Sequence, residues 1–150
     1  MLIKKSQTVY EFAYFMGIGG ALQALLTPDI GIYGFPHYRF FQTFISHGLL
    51  VTSAVYMTAV EGFRPTWKSL MRVMVVMNIY MLIVLGINSV IGSNYLFVSR
   101  KPPGPTLLDA LPEWPIYLIY IEGLGFIMFL LLYLPFFVKD LRGRLRSQAA

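Results

Sequence analysis

The sequence predicts an all-α fold, a polytopic membrane helical bundle of about four transmembrane helices, and three observations lead there. Apolar residues make up 57% of the 150 and charged residues only 13%, about half of what water-soluble domains carry. Mean hydropathy is +0.64, a composition suited to contact with lipid. Four apolar stretches, 9–27, 40–60, 70–91 and 114–138, each approach or exceed the roughly 20 residues that a hydrocarbon core about 30 Å thick demands. Together they read as one membrane domain over residues 1–150. None alternates with the period of a barrel strand, and only a backbone that closes its own hydrogen bonds survives in hydrocarbon, so each reads as a helix.

The first stretch carries Gly17, Gly20, Ala21 and Ala24, two small-x-x-x-small pairs that let helix backbones approach closely. The string GIGG within it lacks the preceding strand and following lysine of a nucleotide loop. Lys4 and Lys5 ahead of an apolar run resemble a signal peptide, but Glu11 interrupts the run and no clean cleavage site follows. Pro28-Asp29 with Gly31, Gly34 and Pro36 marks the turn to the second stretch, and Glu61-Gly62 with Arg64-Pro65 the turn to the third. After the third comes a longer loop containing Pro102-Pro103-Gly104-Pro105 and Pro112. Trp114-Pro115 suits the start of the fourth, because proline fits a first helical turn and Asp109 and Glu113 favour its positive end. Tyr10, Tyr14, Trp67, Tyr95, Trp114 and Tyr117 lie near the ends of the stretches, where amphipathic rings prefer the headgroup level.

The net charge of +5 comes from basic residues at the edges of apolar runs, not from a stripe with interleaved aromatics, so nucleic acid is not the expected partner. Membrane lipids are. The absence of cysteine excludes, within these residues, a disulfide, a thiolate nucleophile and a cysteine-ligated metal. HExxH, GxSxG and GxxxxGK[ST] are missing as well, and no cofactor or metal site is expected.

Candidate residues are then the polar groups that are costly in lipid. His47 falls near the middle of the second stretch, where an ionisable side chain faces a bundle interior or a wet cavity. It serves either as a proton relay or as a packing hydrogen bond beside Thr43 and Ser46. Glu122, about two turns into the last stretch, must be protonated, paired or hydrated. Gln23, Gln42, Asn78 and Asn88 add amides at membrane depth, and Asn78 and Asn88 lie within about a quarter-turn of one another around their helix. They read as polar lining or as interhelical glue. His37, Tyr38 and Arg39, and likewise Asn94 and Tyr95, stand at boundaries and read as interface anchors or caps. The basic tail from Lys139 to Arg146 would be attracted to anionic headgroups.

Taken in order, GIGGALQALLTPD from Gly17, FPHYRFFQTFISHG from Phe35, INSVIGSNY from Ile87, KPPGPTLLD from Lys101 and EWPIY from Glu113 resemble the YwaF-type bacterial integral membrane family, which is similar to eukaryotic transmembrane protein 164. The resemblance runs from about Tyr10 to Phe136. It implies a fold like that of intramembrane lipid hydrolases and an acyl transfer between glycerolipids that uses a cysteine with a histidine partner. That histidine matches His47 in FISHG. Family members usually carry further spans upstream, which would supply the nucleophile, so the chain is expected to be the C-terminal part of such a protein. On this reading it is a lipid acyltransferase-like or hydrolase-like membrane protein. The alternative is a non-catalytic carrier or assembly subunit, completed by upstream helices or by a second copy.

Lys and Arg counts fix the expected orientation. Lys4, Lys5, Arg64, Lys68 and Arg72, with the four basic residues of the tail, lie on one side, against Arg39, Arg100 and Lys101 on the other. By the positive-inside rule both termini of this chain face the cytoplasm, in a multi-pass arrangement within the cell membrane. Because the chain has no cysteine, single cysteines report this directly. A membrane-impermeant maleimide applied to intact cells is expected to label Asp109→Cys and to spare Ser147→Cys, whereas the reverse pattern would invert the topology.

Overall fold

A computed structural model describes residues 5–28, 31–102 and 107–148. Lys4, Asp29 and the Pro103-Gly104-Pro105 turn, all used in the sequence reading, lie outside the described residues. Among the described residues there are helices and turns and no strand. Helix α1 is Gln7–Leu26, α2 Tyr38–Ala59, α3 Trp67–Ile91 and α4 Ile116–Gln148. Short 3₁₀ turns at Tyr95–Phe97 and Leu107–Ala110 interrupt the α3–α4 connection. Each helix falls on one of the four apolar stretches, and α4 continues well past Val138.

Three of them, α1, α3 and α4, are both long and apolar enough to cross a membrane. With 22 residues α2 is also long enough, but Gln42, Thr43, Ser46, His47, Thr52 and Ser53 dilute its apolar content. Apolarity therefore singles out three helices where the sequence reading counted about four.

Local chemistry sets the helix ends. Ser6 caps α1 by accepting the Val9 N–H, and His37 Nδ1 caps α2 by accepting the Arg39 N–H at 3.1 Å. At α3, Thr66 Oγ1 accepts the Ser69 N–H at 3.1 Å while Ser69 Oγ accepts the Thr66 N–H at 3.0 Å. This is a reciprocal capping box with serine in the position that glutamate or glutamine usually takes. Gly62 at φ +74° and Gly92 at φ +69° turn the chain after α2 and α3, a left-handed geometry that glycine adopts without a Cβ penalty. The Trp114-Pro115 restart holds, with Ile116 N–H on the Glu113 carbonyl at 2.9 Å and Leu118 N–H on that of Pro115 at 3.1 Å.

The chain forms two compact units, one of residues 1–70 and 129–150 and the other of residues 71–128. In the first, α1 packs against α2 through Gly17 and Ala21, both buried. A Cβ on Gly17 would stand 3.9 Å from the Leu50 carbonyl oxygen and 4.0 Å from Leu50 Cβ, whereas one on Gly20 would meet nothing within 4 Å. Of the two small-residue pairs, only that of Gly17 and Ala21 is buried as a pair.

The middle of α1 widens into a π-helical turn, Ala13–Ile18. Tyr14 and Phe15 of that turn are buried, Tyr14 edge-on to Phe136 at 5.7 Å and Phe15 against Phe129 at 5.1 Å. Pro135 lies inside α4 and has no N–H to offer the preceding turn. The Tyr14 hydroxyl donates to a carbonyl of that turn, Leu132 O, at 3.0 Å.

In the second unit Tyr117 is fully buried, its hydroxyl donating to the Phe97 carbonyl, and Trp114 Nε1 donates to Val98 O at 3.0 Å. Tyr10, Tyr14 and Tyr117, expected near the headgroup level, are packed inside the chain. A phenol ring buries readily once its hydroxyl has a protein partner. Trp67, Tyr95 and Trp114 remain about half exposed or more.

The α1–α2 contact gives a size-dependent expectation. Gly17→Ala adds a methyl at ordinary van der Waals distance and should leave thermal unfolding in detergent nearly unchanged. Gly17→Leu overpacks against Leu50 and should cost about 1–3 kcal/mol. The matched control Gly20→Leu should cost much less, and equal losses at both positions would refute the contact.

Candidate functional site

His47 lies in the middle of α2, half-buried. Its Nδ1 stands 2.8 Å from the carbonyl of Thr43, one turn earlier. A carbonyl only accepts, so Nδ1 carries the proton in this geometry, and in the neutral ring Nε2 keeps its lone pair. Ser46 Oγ donates at 2.6 Å to the Gln42 carbonyl and at 3.2 Å to that of Thr43. The FISHG run therefore turns two polar side chains back onto their own helix, a pattern that lets hydroxyls be carried at membrane depth. Gln42 is exposed on the same helix, and Gln23 is exposed near the end of α1.

Glu122 and Asn78 meet in the second unit. Asn78 Nδ2 donates to Glu122 Oε1 at 2.5 Å and to the Met74 carbonyl at 3.0 Å. The amide thus ties the carboxyl of α4 to the backbone of α3, and both side chains are half-buried.

Asn88 is 2% exposed and engaged elsewhere. Its Oδ1 accepts from Ser93 Oγ at 2.6 Å and from the Tyr95 N–H at 2.9 Å, and its Nδ2 donates to the Tyr95 carbonyl at 3.0 Å. Asn94 repeats the device, accepting from the Ser99 and Arg100 N–H groups at 3.2 and 3.1 Å and donating to the Arg100 carbonyl at 2.8 Å. Between the segments that these two side chains hold, residues 93–95 and 99–100, come Leu96 and Phe97 at φ +58° and +52°, an uncommon conformation for residues with a Cβ. Asn78 and Asn88, about 15 Å apart along the axis of α3, are therefore brought to separate partners and not to one shared lining.

A further polar group had gone unassigned in the sequence. Glu11, 3% exposed, accepts from Ser69 Oγ at 2.7 Å and from Gln7 Nε2 at 3.2 Å, and Gln7 Nε2 also reaches the Arg64 carbonyl at 3.0 Å. With Ser69 donating to Glu11, the Thr66 hydroxyl 2.8 Å away donates to Ser69. A chain of hydroxyls thus runs from the α3 cap to a buried carboxyl. Two signals mark it in the sequence: a glutamate within an apolar run, which ranks as a functional candidate by default, and the Thr66-x-x-Ser69 capping pattern. Beyond the helices, the Lys5 ammonium meets Glu61 at 2.6 Å. Its hydrogen bond holds the Glu61 carboxyl below the usual carboxylate range, and the same bond raises Lys5.

Three or more metal-ligating side chains do not cluster anywhere among the described residues. The polar groups described above meet their partners by hydrogen bonds. The Asn78–Glu122 pair is testable by a double-mutant cycle. Asn78→Ala and Glu122→Ala should be less than additive in detergent unfolding, with a coupling of about 0.5–2 kcal/mol. Strict additivity would show that the pair does not interact.

No curated protein and no solved structure matches the chain. Against family models, residues 1–133 match the TMEM164 family, so the chain, helical and with three helices apolar enough to cross a membrane, belongs to the TMEM164 family.

Proposed function

We propose that this chain carries the acid/base half of an intramembrane lipid acyl-transfer or ester-hydrolysis site, with His47 as the group that moves the proton. The observation that carries the reading is the Nδ1 contact with the Thr43 carbonyl, which leaves the Nε2 lone pair as a base on a mid-helix imidazole. In such a reaction Nε2 takes the proton of the attacking nucleophile as its bond to the ester carbonyl forms. It then returns that proton to the departing glycerolipid oxygen. The 150 residues contain no cysteine, so on this reading a thiol nucleophile is supplied from outside them. Among hydroxyls, Ser46 is committed to backbone carbonyls of its own helix. Glu122 and Asn78 act on this reading as polar lining of the membrane domain.

A second reading is a non-catalytic carrier or assembly subunit. The engagement of Asn78 with Glu122, and of Asn88 with the loop that follows α3, favours it, since these polar groups hold helices and turns together.

The two separate in proteoliposomes containing the full-length protein and phospholipids of two distinguishable acyl compositions. The first reading expects acyl exchange or fatty-acid release that His47→Ala lowers by roughly 10²- to 10⁴-fold, with unfolding in detergent unchanged. Exchange undiminished by His47→Ala would remove the histidine from the reaction. Lipid or solute movement without any new ester product would favour the carrier.

A further inference from the structure

Helix α4 continues beyond its apolar part into the segment KDLRGRLRSQ, Lys139 to Gln148. At about 100° per residue, Lys139, Arg142 and Arg146 fall within roughly 60° of one another; Leu141 lies on the far side of the helix, whereas Leu145 stands about 60° from Arg142. All five side chains are exposed. The one acid of the segment is Asp140, and Arg64 Nη2, from the connection between α2 and α3, meets its Oδ1 at 2.6 Å. Arg64 thus neutralises the carboxylate, and the charge the segment presents outward is wholly positive.

The depth of the segment follows from helix arithmetic. From Ile116 to Val138 the apolar part of α4 has 23 residues, about 35 Å at 1.5 Å each. That spans a hydrocarbon core of about 30 Å with a modest tilt. Lys139 and Arg142 then emerge into the headgroup layer, and Arg146 lies about 10 Å beyond Lys139 and about 6 Å beyond Arg142, close to the screening length of about 8 Å at physiological salt.

We propose that the end of α4, Lys139–Gln148, is a binding arm for anionic phospholipid headgroups, with Lys139, Arg142 and Arg146 as the contacts and Arg64 as the residue that neutralises Asp140. The arm operates whatever the role of His47.

The test uses the full-length protein in nanodiscs of phosphatidylcholine with and without phosphatidylglycerol, reading the ratio of the two lipids retained after detergent extraction. Enrichment of phosphatidylglycerol is expected, falling as salt is raised and falling by about fivefold for each charge removed among Lys139→Gln, Arg142→Gln and Arg146→Gln. Arg64→Gln, which leaves Asp140 uncompensated without altering the arm, should lower the ratio as well, and Asp140→Asn should raise it. Arg39→Gln should not change it. Unfolding of the triple variant in pure phosphatidylcholine should match the parent. An unchanged lipid ratio in the triple variant would overturn the proposal, as would loss of self-association with the lipid preference intact, which would make the arm an interface between copies.

Discussion

A polar group in hydrocarbon has to find its partner within the protein, and this constraint shapes the rest of the structure. Water is not there to satisfy a stray carbonyl or amide, so the helices close their backbone bonds and the side chains follow the same rule. Ser46 and His47 turn back to the carbonyls of their own turn. Asn78 reaches Glu122, Glu11 gathers Ser69 and Gln7, and Tyr14 supplies a donor beside the proline that interrupts α4. Each is a local answer to the same cost.

The same constraint bears on chemistry. A histidine with one nitrogen fixed by its own helix keeps a defined tautomer and ring orientation, which any proton transfer needs in advance. Here the group that fixes the ring is the Thr43 carbonyl, an uncharged acceptor one turn earlier on the same helix. In this member of the TMEM164 family, Asn88 hydrogen-bonds the turn that follows its helix and Asn78 links two helices.

The helices were legible from the sequence because apolar length is a direct record of membrane thickness, and the turn residues Gly62, Gly92 and Pro115 mark their ends by stereochemistry alone. Less legible was which way a polar or aromatic side chain points. Tyr10, Tyr14 and Tyr117 sit near helix ends just as Trp67 and Trp114 do, and only tertiary contacts separate the buried phenols from the exposed indoles. Asn88 and Asn78 look alike as midspan amides, yet one pairs with a backbone seven residues on and the other with a carboxyl 44 residues away. Glu11 stood out as a blemish in an apolar run. Its partner Ser69 stood out only as a helix cap, because a capping serine and a carboxyl-binding serine have the same sequence signature until the fold joins them.

The turn after α3 is built on two carboxamides, Asn88 and Asn94, each standing in for a neighbouring peptide group. Its form therefore rests on directional hydrogen bonds as well as on the burial of Val98 and Tyr117. Because each carboxamide takes the place of a peptide group, replacing either asparagine by an apolar residue would strand several backbone donors and acceptors at once.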